Sequence, residues 1–151
     1  MMQGVCKMEF MVRECCLDDA EYIQELNCNG MGYDYSLEDT KAKLSNILTS
    51  NKDKIFVAVI NNTVVGYVHA NDYEVIYAPS MKNIMGIAVS STYRGNGIGR
   101  ALLSKVEEWA KASGAKGVRL VSGSTRLGAH EFYRHMGYHN EKQQLNFQKW
   151  F

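Results

Sequence analysis

Two uninterrupted apolar runs, at 55–60 and within 83–89, dominate the pattern of hydrophobic and polar positions along the chain. Each has the length of a buried strand, so we predict one strand at each. The pair Asn61-Asn62 separates the first run from another apolar segment at 64–70. Because asparagine tolerates a positive φ, we predict a two-residue hairpin turn between these two strands.

Apolar residues after Asn96 recur at helical spacing and predict an amphipathic helix that ends near Gly114. Its apolar positions are Ile98, Leu102, Val106, Trp109 and Ala110. The same rules predict strands at 10–13, 118–121 and 145–151, helices at 37–48 and 129–136, and a helix that runs from a capping box at Asp18 and Glu21 to Asn29-Gly30. The expected fold class is α/β, a mixed sheet with helices on its faces.

Length and composition indicate one globular domain spanning residues 1–151, with 46% hydrophobic and 22% charged residues. The longest apolar runs fall far short of the ~20 residues of a membrane helix, so we expect no membrane association. Residues 1–7 carry no apolar signal-peptide core, which makes the cytoplasm the default location. A pI near 7.7 without a basic and aromatic stripe argues against nucleic-acid binding.

The cysteines and histidines do not have the spacing of a disulfide framework or a zinc site, so we expect reduced thiols and no metal. These residues are Cys6, Cys15, Cys16, Cys28, His69, His130, His135 and His139.

The net charge of +1 hides a strong asymmetry. Residues 1–75 contain 12 acidic and 6 basic side chains, whereas residues 76–151 contain 4 acidic and 11 basic ones. A basic half suits an anionic ligand and an acidic half a cationic one, although chance segregation on a solvated surface would give the same counts.

The turn from Arg94 to Arg100 lies between a predicted buried strand and the amphipathic helix. Glycines allow close approach of a ligand, and a helix N-terminus offers unpaired N–H groups, so this turn can cradle a phosphate. A dinucleotide fingerprint fails because Arg100 stands where it needs glycine, and no P-loop pattern is present. The pattern that fits is R-x-x-G-x-G, at Arg94, Gly97 and Gly99.

This turn resembles the pyrophosphate turn of the GNAT superfamily of acyl-CoA N-acyltransferases. The resemblance extends over the strand, turn and helix at 87–103, and the run 129–138 resembles the family's second pattern, A-x-x-F-Y-x-x-x-G-Y. Val12-Arg13-Glu14 with Asp18-Asp19-Ala20 is similar to its first strand and helix. The resemblance implies a mostly antiparallel sheet that splays at the CoA site, with helices on both faces.

The resemblance also implies acetyl-CoA as cosubstrate, with its pantetheine arm beside the strand at 83–89 and its phosphates on the glycine turn. The residues implied in this binding are Ile87, Ala88, Val89, Arg94, Gly95, Asn96, Gly97, Ile98, Gly99 and Arg100.

For catalysis, the resemblance assigns stabilisation of the oxyanion to a backbone amide near Val89 and protonation of the leaving thiolate to Tyr133. Tyr133 could instead only anchor the short helix together with Phe132. The general base stays open among Asp72, Glu74, His69 and a water relay, because neither central strand carries a carboxylate. Arg126 replaces an asparagine frequent in the family, and its role is left open.

The acceptor region implied by the family contains Tyr33, Asp34, Asp72 and Glu74. Acidic and aromatic side chains together suit a cationic amine, although they would also suit an ordinary solvated loop. We expect N-acetylation of a small-molecule primary amine, for example an aminoglycoside or polyamine. The alternatives are a peptide N-terminal acetyltransferase and a non-catalytic CoA-binding sensor. The apolar ending Trp150-Phe151 would fit a homodimer interface or a cap on the core.

Overall fold

The computed structural model describes residues 8–151, so the expectations for residues 1–7, including Cys6, lie outside the described residues. The described chain divides into two compact units, one that ends at Leu120 and one that spans Val121–Phe151. The elements of the first unit are β1 (Met11–Glu14), α1 (Ala20–Met31), α2 (Leu37–Leu48), β2 (Asp53–Ile60), β3 (Thr63–Tyr73), β4 (Met81–Val89), α3 (Ile98–Ala112) and β5 (Val118–Leu120). The second unit contains α4 (Leu127–His135).

One five-stranded sheet organises the first unit, with the strands in chain order. The pairs from β1 to β4 are antiparallel, and β5 joins β4 in parallel. The predicted hairpin between β2 and β3 is confirmed, because Asn61 and Asn62 have φ values of 48° and 64°. The mixed sheet predicted from the sequence pattern is therefore present, with the mostly antiparallel pairing that the resemblance implies.

Helices cover both faces of this sheet, as expected. Ala20 and Ile23 of α1 and Leu44 of α2 pack with Val57 and Tyr67 of the sheet on one face. On the other face lies α3, whose residues Ile98, Leu102, Leu103, Val106 and Ala110 are buried. Burial of these apolar stripes is the main force that holds the helices on the sheet.

The start of α1 differs from the predicted capping box at Asp18 and Glu21. A short 3-10 turn at Leu17–Asp19 precedes the helix, and the carboxylate of Asp19 accepts the backbone N–H of Cys16 at 2.9 Å. The same carboxylate binds the guanidinium of Arg13 through two bonds of 2.8 and 2.9 Å. A paired, buried carboxylate therefore fixes the entry to α1, and the helix continues past Asn29-Gly30 to Met31.

Three predicted strand limits also need correction. The first strand lies one residue later than 10–13, and the last strand of the sheet ends at Leu120. The connection predicted at 71–82 is largely strand, because pairing with β4 carries β3 through its polar residues to Tyr73. No strand forms at 145–151, whose large apolar side chains are exposed, because alternation without a hydrogen-bonded neighbour does not make a strand.

In the second unit, α4 begins two residues before the predicted start and ends at His135. Gly137 follows with a φ of 91°, a left-handed conformation that closes the helix. Arg134 on α4 forms ion pairs with Glu131 and Glu141. None of the helices in the described part of the chain is long and apolar enough to span a membrane.

Candidate active site

A bulge in β4 opens one edge of the sheet. The pairing of β4 with β3 shifts between Gly86 and Ile84, which leaves Met85 as the extra residue. Pairing of β4 with β5 ends at Ile84 and Leu120, while β4 continues to Val89. Because a bulge bends its strand and increases the local twist, it accounts for the separation of the two strands at this point.

The backbone groups of Ile87 and Val89 point toward the opened edge. The N–H of Ser90 donates to the carbonyl of Val65 at 2.8 Å, which identifies Ser90 as a residue bonded to β3. Residues of an antiparallel pair alternate between bonded and non-bonded positions, so Ala88 is also bonded to β3, and Ile87 and Val89 are not. Their N–H and C=O groups are therefore available to an extended ligand.

The turn between β4 and α3 depends on two left-handed glycines. Gly95 and Gly97 have φ values of 83° and 80°, and a Cβ atom at either position would have no heavy atom within 4 Å. The side-chain amide of Asn96 donates to the carbonyl of Tyr93 at 2.9 Å and closes the turn. The result is an exposed backbone surface that a bulky ligand group can approach.

The start of α3 presents free amides to this surface. Gly97 is the N-cap, and its carbonyl accepts the N–H of Ala101, which leaves the N–H groups of Ile98, Gly99 and Arg100 without helical partners. The exposed side chains of Arg94 and Arg100 form no ion pair within residues 8–151. Free amides at the positive end of a helix dipole and these two arginines give this surface the chemistry that favours an anion.

An open strand edge that leads directly into an anion-binding helix N-terminus is the arrangement expected for CoA. The family model described as "Acetyltransferase (GNAT) family" matches residues 20–138. The chain belongs to the GNAT family. Its members are acetyltransferases, and CoA is the cosubstrate that the family implies.

Curated relatives agree with this assignment. An uncharacterized N-acetyltransferase of Methanocaldococcus jannaschii is 34% identical over 98 residues, which cover 64% of this chain and 43% of the relative. The human N-acetylaspartate synthetase is 32% identical over 83 residues, covering 55% of this chain and 26% of that protein. The chain thus spans less than half the length of these relatives.

The fold is shared with solved GNAT enzymes. An aminoglycoside N-acetyltransferase in complex with CoA superposes with a TM-score of 0.84 at 14% identity, covering 93% of this chain and 95% of the other. At this identity the likeness concerns the fold alone.

Tyr133, the predicted general acid, lies on α4 in the second unit. Its ring contacts that of Phe132 at 5.3 Å and that of Tyr138 at 6.0 Å. Burial raises the pKa of Tyr133, and the positive charge of Arg126 partly opposes that effect. The hydroxyl is therefore protonated at neutral pH, as a proton donor must be.

The predicted acceptor loop forms an open groove of about 410 Å³. Tyr33 and Asp34 line this groove together with Asn27 of α1. Asn27 accepts a hydrogen bond from the hydroxyl of Tyr67 on β3, which ties the groove to the sheet face that α1 and α2 cover. Burial raises the pKa of Tyr67 to about 12, so this hydroxyl stays protonated. The sequence interpretation did not place Tyr67 and Asn27 beside the acceptor loop, because no local pattern links two residues 40 positions apart.

The two other predicted acceptor carboxylates lie elsewhere. Asp72 forms an ion pair with Lys82, whose ammonium sits 4.0 Å from the ring centre of Trp109 on α3. Asp72 is therefore on the α3 face of the sheet, opposite the groove. Glu74 follows the last residue of β3 and is exposed.

His69 is on the groove face and is held by a partner that the sequence did not reveal. Its Nε2 lies 2.7 Å from Oδ1 of Asp53, at the start of β2. Its cross-strand neighbour Ile55 belongs to the core cluster packed under α1 and α2, which places His69 on that face. No group of three potential metal ligands occurs among His, Cys, Asp and Glu in the described residues.

Proposed function

We propose that this chain is an acetyl-CoA-dependent N-acetyltransferase that acetylates a primary amine of a small molecule. The observation that supports this most is the continuity between the open backbone of Ile87 and Val89 and the free amides at the start of α3. The extended pantetheine arm of CoA, followed by its phosphates, fits that path. Gly95 and Gly97 also leave open space above the turn, which side chains at these two positions would occupy.

Within this proposal, each residue of the predicted site has a chemical task. Backbone amides of Ile87 and Val89 hold the pantetheine arm, and the amide near Val89 stabilises negative charge on the thioester oxygen, an interaction whose loss costs ~3 kcal/mol. Ala88 lies between these two residues on β4 and forms part of the strand beside the pantetheine arm. The nucleotide part of CoA is bound by the turn and the start of α3, at Arg94, Gly95, Asn96, Gly97, Ile98, Gly99 and Arg100. Tyr133 donates a proton to the departing thiolate. We propose that residues 1–151 form one N-acetyltransferase domain, and the family match across both compact units supports this.

The acceptor is proposed to be small and to bind through its ammonium group in the groove at Tyr33 and Asp34. A carboxylate and tyrosine rings provide charge pairing and cation–π contact for such a group. The names of the relatives, an aminoglycoside N-acetyltransferase and an N-acetylaspartate synthetase, both denote small acceptors with an amine. The carboxylate of Asp34 in the groove suits one ammonium group of an acceptor such as an aminoglycoside or polyamine. The free thiols Cys15, Cys16 and Cys28 suit the cytoplasm as compartment.

The proposal is tested by calorimetric titration with acetyl-CoA and with acetyl-pantetheine, followed by thiol-release assays on polyamines, aminoglycosides, amino acids and N-terminal peptides. We expect saturable acetyl-CoA binding that weakens strongly without the nucleotide phosphates, and turnover with a small amine. Turnover with peptides alone would favour an N-terminal acetyltransferase. Binding without any turnover would favour a CoA sensor, and absence of both would refute the proposal.

A further inference from the structure

The acceptor of the proposed reaction arrives as an ammonium ion and must lose a proton before its nitrogen can attack the thioester. The sequence leaves Asp72, Glu74, His69 and water as alternatives for this task. The structure places Asp72 on the opposite face in an ion pair with Lys82, and Glu74 beyond the end of β3. Of these three side chains, His69 alone belongs to a strand and lies on the face of the sheet that α1, α2 and the groove cover.

We propose that His69, oriented by Asp53, is the general base that deprotonates the acceptor amine, an inference that rests on the proposed N-acetyltransferase function. The side chains of both residues are mostly buried, with exposed fractions of 17% for His69 and 19% for Asp53. An ionised carboxylate only accepts hydrogen bonds, so Nε2 of His69 carries the shared hydrogen. In the neutral imidazole, Nδ1 then carries the free lone pair, and no described residue forms a hydrogen bond to it.

The position of His69 relative to the opened edge supports this role. His69 pairs across the strands with Gly86 of β4, which stands between the bulge residue Met85 and Ile87. Gly86 alternates with Ala88 and is therefore in a hydrogen-bonded pair, and the Cα atoms of such pairs are about 5.5 Å apart. Gly86 has no side chain, and a Cβ atom there would meet only the Tyr67 hydroxyl, at 3.6 Å. The imidazole is therefore next to an unfilled position of the strand that would hold the thioester arm.

Charged and titratable groups from several elements lie on the face of the sheet that carries His69. The hydroxyl of Tyr67 is protonated because burial raises its pKa to about 12. The side chains that α1 and α2 pack on this face are mainly apolar, with Asn27, Thr40 and the phenol of Tyr22 as polar groups, and the thiol of Cys15 packs against the same cluster. Further titratable groups on this face of the sheet and in the adjoining loop include Tyr73, Arg119, Tyr33, Asp34 and Tyr35.

The proton balance of the step is complete. The acceptor ammonium gives one proton to Nδ1 of His69 and becomes a free amine. The amine nitrogen forms a bond to the acetyl carbon while the bond from that carbon to sulfur breaks. The nitrogen releases its second proton to solvent, Tyr133 protonates the thiolate and regains a proton from solvent, and His69 releases its proton to solvent. The net products are the amide, CoA with a free thiol and one proton.

The test compares His69→Gln with the control His139→Gln, a matched exchange at an exposed position of the second unit. At neutral pH we expect kcat/KM of His69→Gln to fall about 10²- to 10⁴-fold while acetyl-CoA affinity by calorimetry and the unfolding midpoint stay near those of the native chain. The deficit shrinks as pH approaches the pKa of the acceptor amine, because free amine is then supplied by solution. His139→Gln retains full activity.

Two further variants separate a proton-transfer role from a structural one. Imidazole added to His69→Ala restores part of the rate, and Asp53→Asn lowers kcat and changes the pH profile without changing acetyl-CoA affinity. If native protein turns over an amine and His69→Gln matches it at every pH, the inference is wrong and the proposed function stands. Loss of activity with lost cosubstrate binding and no imidazole rescue also overturns it, as a structural role. If the native chain neither binds nor consumes acetyl-CoA, both proposals fail.

Discussion

Replacement of Gly97 by alanine provides a sharp test of the phosphate cradle, because the chain contains a matched control at Gly114. The two glycines have φ values of 80° and 79°, and a Cβ atom at either would have no heavy atom within 4 Å. Neither substitution causes a clash, so the cost to stability comes from the left-handed backbone alone. That cost is roughly 1–2 kcal/mol per residue and should be equal in the two variants.

The variants differ in what lies next to them. Gly97 caps the helix whose amides at Ile98, Gly99 and Arg100 face the proposed phosphate site, whereas Gly114 follows the other end of the same helix. If alanine at position 97 displaces this cap, one hydrogen bond from a helix amide to a phosphate is lost. A hydrogen bond to a charged group contributes about 1.5–3 kcal/mol to the binding free energy. We therefore expect Gly97→Ala to weaken acetyl-CoA binding by about 10- to 150-fold and Gly114→Ala to leave it unchanged.

Urea unfolding measures the stability of both variants, and titration calorimetry measures their affinity for acetyl-CoA. Equal losses of stability with a selective loss of affinity in Gly97→Ala would support the cradle. Native affinity in Gly97→Ala, or an equal loss in both variants, would refute the assignment of the phosphates to this helix N-terminus.

Three more predictions concern single residues. Tyr133→Phe should lower kcat about 10²-fold or more in steady-state assays while calorimetric acetyl-CoA affinity stays unchanged, and a lost affinity would indicate a packing role instead. Burial would raise the pKa of Asp19, but hydrogen bonds from Arg13 and from the N–H of Cys16 hold it below its usual value. Asp19 thus stabilises the fold above its unfolded pKa and loses this effect as pH falls through its folded pKa. Asp19→Asn should lower the free energy of unfolding by about 1–3 kcal/mol at neutral pH, a moderate loss because Arg13 is partly exposed and solvent screens the ion pair. In urea unfolding measured over a pH series, the variant should lose less stability on acidification than the native chain. Gly66→Ala would place a Cβ 3.1 Å from the Ala88 carbonyl and 3.3 Å from Ile98, and should cost about 1–3 kcal/mol in urea unfolding, where an unchanged midpoint would contradict that packing.

Local patterns were sufficient for much of the fold. The hairpin at Asn61-Asn62 and the helix at Leu37–Leu48 depend on neighbouring residues, and both are confirmed. The family resemblance supplied the rest of the topology. The strand at 145–151 was predicted from alternation alone, and alternation does not show whether a pairing partner is available.

Partnerships across the sheet account for what the sequence did not reveal about the site. The sequence predicted that Asp72 lies in a loop near the acceptor. The strand register instead places Asp72 opposite Lys82, on the face of the sheet that α3 covers. His69 and Asp53 are 16 residues apart, and only the pairing of β2 with β3 brings them together. The glycine turn, in contrast, is continuous in sequence, so its residues could be named from the motif.

The most direct test of the central claim uses acetyl-CoA labelled with carbon-13 in its acetyl carbonyl, incubated with the native chain and a panel of primary amines. The account predicts that the label appears in a new amide on a small amine, at a rate proportional to protein concentration, together with an equal amount of CoA thiol. If the label stays on CoA or appears only as acetate with every amine, the chain does not perform the acetyl transfer assigned to it.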